Sequence, residues 1–276
     1  MEKTEVLGSK ERFSFGKNWG NFLNSLSEER IVEAENSLKD KLGIMDLCGK
    51  TFLDVGSGSG LFSLAAHRLG ARVFSFDYDQ DSVNCTQLLK EKYASHSSMW
   101  TVDQGSVLDD TFLLKFTKAD IVYSWGVLHH TGNLYEAFNK VSVLVKPGGL
   151  LFISIYNDQG GASNRWKWVK LKYNQGNWII KMMLSVYTLM RQWFPTFFRD
   201  LIKYKNPMKS WMSYGGNNRG MSPWYDIVDW VGGYPFEVAK PEEVFDFFKQ
   251  KNFVLEKMKT CMGGVGCNEF VFKKNK

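Results

Sequence analysis

Apolar positions along the chain follow two alternating periods. TFLDV (51–55), RVFSFD (72–77), MWTVDQG (99–105), ADIVYSW (119–125) and LLFISIY (150–156) are short apolar runs of strand length. Between them, LFSLAAHRL (61–69), QDSVNCTQLLKEKYA (80–94) and NLYEAFNKVSVLV (133–145) carry apolar residues at helical spacing, the last stopped by Lys146-Pro147-Gly148-Gly149. Ahead of the first strand, residues 28–42 put Ile31, Ala34, Leu38 and Leu42 on one helical face, with Ser25 or Ser27 placed to cap the helix. Strands alternating with helices imply parallel strands joined by crossovers, with ligands at the strands' carboxyl ends. The alternation stops after Tyr156 and resumes with a helix pattern at 240–253. VLEKMKTC (254–261) and NEFVFKK (268–274) then flank a GGVG turn, Gly263–Gly266, so a hairpin ends the chain and its last strand runs antiparallel. The expected fold is a doubly wound α/β sheet of seven strands, mostly parallel. It divides into an N-terminal helical cap segment (1–49), a core (50–156 and 240–276) and a helical, aromatic-rich insertion (157–239).

Charge changes this picture in one place. Residues 157–239 hold 11 Lys and Arg against 5 Asp and Glu, and the rest of the chain is balanced, so the net +6 sits entirely in the insertion. That segment also holds seven of the ten tryptophans. The four cysteines are scattered and form no C-x-x-C pair, which predicts reduced thiols, Cys261 and Cys267 across the hairpin included. With no signal-type start and no run of eighteen apolar residues, the expected location is cytoplasmic, or peripheral to a membrane.

The chemistry concentrates after the first strand. In FLDVGSGSGLFS (52–63), a strand ends in an acid, then come three alternate glycines, then a helix. Glycines allow positive φ and close approach of a ligand, and the helix N-terminus offers free amides to an anionic group. Asp77 ends the second strand 21 residues after Gly56, where a carboxylate can accept both ribose hydroxyls of a nucleoside. Leu61 stands where the dinucleotide fingerprint G-x-G-x-x-G would have its third glycine, which disfavours a nicotinamide oxidoreductase.

Asp54 with G-x-G-x-G, Asp77, the Gly105-Ser106-Val107 turn, the Lys-Pro-Gly-Gly before LLFISIY and the terminal hairpin together resemble the class I S-adenosylmethionine-dependent methyltransferases. The resemblance covers residues 50–156 and 240–274 and implies a Rossmann-like fold and that cofactor. It implies that Gly56, Ser57, Gly58 and Gly60 line the methionine part, with Asp54 supporting the loop or the cofactor's amino group. Asp77 would hold the ribose, Tyr78 would lie against the adenine and Gly105-Ser106-Val107 would meet its edge. Many relatives carry an acid where Ser106 stands. Ser124 and Trp125, ending the fourth strand, would border the cofactor.

SWGVLHHTG (124–132) places His129 and His130 at that strand end, where the resemblance puts the transferred methyl. A hydroxyl or amine acceptor must lose a proton, and a histidine suits a general base at neutral pH. One of the pair would be the base, His130 preferred, the other an orienting neighbour; alternatively one caps the helix beginning near Asn133. His67 and His96 read as solvated, and the scattered histidines indicate no metal site. Topology also brings Tyr156, Asn157 and Asp158, and through the hairpin Asn268 and Glu269, toward the acceptor. The segment FSFGKNWGNF (13–22) either closes over cofactor or substrate, or packs Phe15 and Trp19 in the core.

The insertion, leaving at the carboxyl edge, is expected to cover the substrate. Residues 177–205 are apolar at helical spacing with basic residues interspersed, and Pro195 should break or kink that helix. Three readings remain open: a packed helical lid, a surface for a membrane or lipid-linked substrate, and a nucleic-acid groove. The modest charge excess and the absence of a recognised RNA-binding module disfavour the third. The expected reaction is O-methylation of a small molecule, a glycan or a lipid-linked acceptor. The alternatives are N-methylation of RNA or protein and a nucleoside-binding scaffold without turnover. Oligomeric state is not legible.

Overall fold

The structure, a computed structural model, describes residues 26–95, 97–214 and 223–276, with Phe13, Ser14, Gly16 and Leu23. His96, Phe15, Trp19 and Ser25 lie outside the described residues, as does the side chain of Tyr225. The described chain divides into two units, a core (Ser14–Gly160 with Glu237–Lys276) and a helical unit (Gly161–Phe236 with Phe13).

In the core, α1 (Glu28–Leu42) precedes β1 (Thr51–Val55), α2 (Leu61–Arg68), β2 (Arg72–Asp77), α3 (Gln80–Ala94), β3 (Trp100–Gln104), the one-turn α4 (Asp110–Leu113) and β4 (Ala119–Trp125). A 3-10 turn (Leu128–His130), α5 (Leu134–Leu144) and β5 (Val145–Tyr156) follow. After the helical unit come α10 (Pro241–Gln250), β6 (Phe253–Lys259) and β7 (Cys267–Lys274). The sheet order is β3-β2-β1-β4-β5-β7-β6. β1 to β5 are mutually parallel, and β7 runs antiparallel to both β5 and β6.

Both faces of this sheet are covered, so its central strands are apolar throughout rather than alternating. Alternate residues feed two separate cores. Phe52, Tyr123 and Phe152 join Ile31, Leu38, Leu64 and Trp100 on one face. Leu53, Val122, Leu151 and Ile153 join Phe138, Val141, Phe248 and Phe270 on the other. α1 runs from Ser27, which sits at the N-cap with no capping side-chain bond, to Gly43, whose left-handed conformation (φ 66°) lets its amide close on Lys39.

Two boundaries and one short helix differ from expectation. β5 begins at Val145, not Leu150: Val145 is already extended and pairs with Ala119, so Lys146–Gly149 forms an irregularity inside the strand. α10 ends at Gln250 because Asn252 turns at φ 65° and Phe253 already belongs to β6. α4 was not anticipated; Asp109 builds it by accepting the amides of Thr111 and Phe112. His67 also departs from the solvated reading: it is half-buried with its ring 5.9 Å from that of Trp100, and burial lowers its pKa.

The helical unit contains α6 (Gly161–Gln175), α7 (Trp178–Tyr204), α8 (Lys209–Met212) and α9 (Pro223–Gly232). α7 is one continuous helix of 27 residues with Pro195 inside it. The expected break is absent: Pro195 is exposed, where water can replace the amide that proline lacks. α6 buries Trp166, Val169, Lys170 and Tyr173 along one stripe. Lys170 is wholly buried, its ammonium 4.1 Å from the Trp230 ring and 4.8 Å from that of Phe236, donating to the Trp230 carbonyl. Burial, opposed in part by Asp229, brings its pKa down to about 7. Among the described residues no helix is long and apolar enough to cross a membrane.

Candidate active site

β1 ends at Val55 and α2 begins at Leu61, and the loop between them is drawn over the end of β2: Gly56 and Ser57 both donate their amides to the Phe76 carbonyl. Gly56 has φ 81°, and a Cβ there would lie 2.4 Å from the Val127 side chain. Gly60, at φ 79°, is the N-cap of α2, and its Cβ would lie 2.9 Å from Thr86 Cγ2. The loop thus needs glycine both for conformation and for space; the amides of Gly56, Ser57, Gly58 and Gly60 are donated within the protein, and the first turn of α2 offers its amides to a ligand. Ser57 and Thr86 share a hydrogen bond of 3.0 Å that holds the loop to α3.

Two carboxylates flank this loop. Asp54 is buried and accepts from Ser63 Oγ, which also contacts Ser75 Oγ at 2.7 Å; Trp100 Nε1 donates to Ser75 at 2.8 Å. This polar chain braces the first turn of α2 against β1 and β2. Burial pushes the Asp54 pKa up to about 7, against the Ser63 hydrogen bond and with help from the Asp77 charge. Asp77 is half-buried at the end of β2 and accepts the Gly58 amide on Oδ2 and the Asp79 amide on Oδ1, each at 2.9 Å. Desolvation raises its pKa to about 6, although those two amides pull it down.

Tyr78 is exposed beside it, and its carbonyl accepts from Gln104. Gly105 donates its amide to the Asp77 carbonyl, which brings the turn after β3 to this site. In that turn Ser106 Oγ accepts the Leu108 amide and Val107 is buried in the core. The N-terminal segment arrives here too: Ser14 Oγ and the Gly16 amide both donate to Asp79 Oδ2 at 2.9 Å.

At the end of β4, Ser124 is buried and ties β4 to β1 through the Val55 carbonyl at 2.9 Å. Trp125 Nε1 donates to Glu269, which also pairs with Lys41 at 2.8 Å. Burial opposes ionisation of Glu269, but the Lys41 and Trp125 hydrogen bonds hold its pKa below the ordinary value. Asn268 is buried within the hairpin, accepting the Cys261 amide and donating to Asn157. Asp158 closes its own turn by accepting the Gly160 amide. Asn157, Asn268 and Glu269 thus have defined structural partners at the edge where the sequence places them.

The 3-10 turn carries both histidines to Tyr156. His129 is buried, its ring 3.9 Å from that of Tyr156, and its Nδ1 accepts the Tyr156 amide at 3.3 Å. A neutral ring accepting at Nδ1 carries its proton on Nε2, so a second proton would break the Tyr156 bond. His130 is half-buried, with its ring 4.5 Å from His129 and edge-on to Tyr156 at 5.4 Å. Neither histidine caps α5: Asn133 does so, accepting the Glu136 amide.

One residue the sequence did not mark completes the loop. Glu237 accepts the amides of Gly132 (2.9 Å) and Leu134 (3.0 Å), and its own amide donates to the His129 carbonyl (3.0 Å). A single side chain thereby fastens the turn that presents the histidines. The only local signal was one acid in an aromatic stretch, which does not name its partners.

The family described as methyltransferase domain matches residues 26–189. Two curated relatives are named ubiquinone biosynthesis O-methyltransferase. That of Brucella melitensis is 29% identical over 109 residues, covering 40% of this chain and 42% of the relative. That of Bartonella bacilliformis is 23% identical over 171 residues, covering 62% and 60%. The chain therefore spans less than two thirds of the length of these relatives. The solved structure of magnesium protoporphyrin IX methyltransferase from Synechocystis, with bound SAH, matches with a TM-score of 0.51 at 14% identity, over 90% of this chain and 83% of that one, which shows a shared fold. With the family match spanning more than half of the residues, and the glycine loop, Asp77 and the reversed last strand in their expected places, the chain belongs to the class I S-adenosylmethionine-dependent methyltransferases.

Proposed function

We propose that this chain binds S-adenosylmethionine in the loop between β1 and α2 and methylates a hydroxyl oxygen on a small molecule, a glycan or a lipid-linked acceptor. The observation that carries the reading is the pairing of a glycine loop whose Cβ positions are filled by Val127 and Thr86 with the Asp77 carboxylate at the next strand end. That set fits the cofactor: the amides of the first turn of α2 for its carboxylate, and an acid for its ribose. Bound there, the cofactor supplies a methyl group on a sulfonium, already a good leaving group.

The residues' tasks follow from their surroundings. Asp77 accepts the ribose hydroxyls on the lone pairs that Gly58 and Asp79 leave open. His130 takes the proton of the acceptor hydroxyl, because His129 has its Nδ1 committed to Tyr156. His129, Tyr156 and Glu237 hold that imidazole in place. The names of the two curated relatives favour oxygen over nitrogen as the nucleophile.

The test is calorimetric titration with S-adenosylhomocysteine, with NAD as control, followed by transfer of a labelled methyl group to a panel of phenols, glycans and lipid-linked sugars. Binding of S-adenosylhomocysteine but not NAD, with label on oxygen, supports the reading. Binding of NAD instead, or cofactor binding with label only on RNA or protein nitrogen, refutes it.

A further inference from the structure

α7 is built inside out. Its buried positions are polar, Ser185, Thr188 and Asp200. Its outward stripe is apolar: Met183, Val186, Met190, Phe194, Phe197 and Leu201, spaced by three and four residues, are between 39% and 66% exposed. A surface helix normally shows the reverse arrangement, and an exposed apolar stripe of this length marks a contact surface. Where α7 meets α8, the stripe opens into a groove of about 450 Å³ lined by Trp193, Phe197, Met208, Trp211 and four other apolar side chains.

The charge around this stripe identifies its partner. From Gly161 to Tyr225 the chain has eleven Lys and Arg, of which Lys170 is buried inside the unit, and one acid, Asp200. Asp200 is buried, accepting from the Ser210 amide and hydroxyl and pairing with Arg199 at 3.3 Å, so it offsets one of these charges and leaves the others. A second copy docking by the same face would bring two basic segments together, which repel. A nucleic acid would match the lysines and arginines but not Met183, Val186, Met190 and Leu201, which offer no flat ring for a base. An anionic bilayer matches both features: acyl chains for the stripe, headgroup phosphates for the basic residues. α7 is roughly 40 Å long at 1.5 Å per residue, yet Lys181, Arg191, Arg199 and Lys203 interrupt it, so it would lie in the interface and not cross.

We infer that the outward face of α7 docks in the headgroup region of an anionic phospholipid bilayer. This goes beyond the proposed reaction and does not depend on it. The experiment is co-sedimentation of the full chain with vesicles of phosphatidylcholine alone and of phosphatidylcholine mixed with phosphatidylglycerol, with brominated acyl chains to quench tryptophan fluorescence. The expected result is partition into the anionic vesicles with quenching, and a loss of roughly tenfold or more in the Met190→Glu/Phe194→Glu variant. Both positions are exposed, so its circular dichroism and melting should match wild type; should it misfold, quenching of the wild type decides alone. No partition into anionic vesicles, or partition without quenching, overturns the inference. So does a wild-type dimer split by the glutamates, or a single-stranded RNA probe whose binding they abolish.

Discussion

Replacing Asp77 by asparagine tests the cofactor site most directly. Each oxygen of Asp77 accepts one backbone amide, from Gly58 or Asp79, at 2.9 Å. A carboxylate oxygen has a second lone pair, so each can also accept one ribose hydroxyl. In Asp77→Asn one oxygen becomes an NH2 group, which must face a backbone amide whichever way it turns. One loop bond and one ribose acceptor are lost together. Hydrogen bonds to charged groups contribute about 1.5–3 kcal/mol each, so affinity for S-adenosylhomocysteine should fall roughly ten- to hundredfold. The wild-type affinity should also follow pH. The ionised carboxylate is the acceptor and its pKa is about 6, so affinity is fully developed well above that value and is lost as pH falls through it. The asparagine variant lacks that titration, while Asp54, near 7 in the wild type, still titrates in the variant but lower, without the Asp77 charge. Calorimetric titrations of both proteins from about pH 5 to about pH 8 would measure this. Equal affinity at neutral pH, or parallel pH profiles, would refute the assigned role.

His130→Ala should lower kcat by about a hundred- to ten-thousand-fold with little change in cofactor affinity, read by methyl transfer against calorimetry. His129→Ala should act differently, lowering the melting temperature along with activity, because the Tyr156 amide loses its acceptor. Glu237→Ala leaves the amides of Gly132 and Leu134 without that acceptor, at a cost of about 1–3 kcal/mol for each one kept from water. It should reduce kcat while S-adenosylhomocysteine still binds, and a fully active variant would show that the turn needs no such anchor. Lys170 has its native pKa depressed to about 7 from 10.5, so between those values the unfolded chain holds a proton that the native one releases. Stability should therefore rise with pH across that window, by roughly 1.4 kcal/mol per unit, and Lys170→Met should remove that component. Urea unfolding followed by tryptophan fluorescence checks this, since most tryptophans lie between Trp166 and Trp230; parallel pH dependence in the two proteins would count against it.

What the sequence by itself determined was local. Strand, glycine loop, helix and acid all lie between Phe52 and Asp77, where a strand's end, its turn chemistry and the next helix's start constrain one another over a few residues. The reversed last strand was legible for the same reason, because a short glycine turn joins only antiparallel neighbours. Tertiary structure alone decided which distant residues meet. Glu237 fastens a turn about a hundred positions earlier in the chain. Lys41 and Trp125 converge on Glu269. Ser63, Ser75 and Trp100 form one polar chain beneath Asp54 because two crossovers set β1, β2 and β3 side by side with α2 packed beside them. The clearest case is α7: its period showed which side chains share a face, but burial depends on what packs against a helix, and periodicity carries no record of that. There Ser185, Thr188 and Asp200 were covered and the apolar stripe was turned outward.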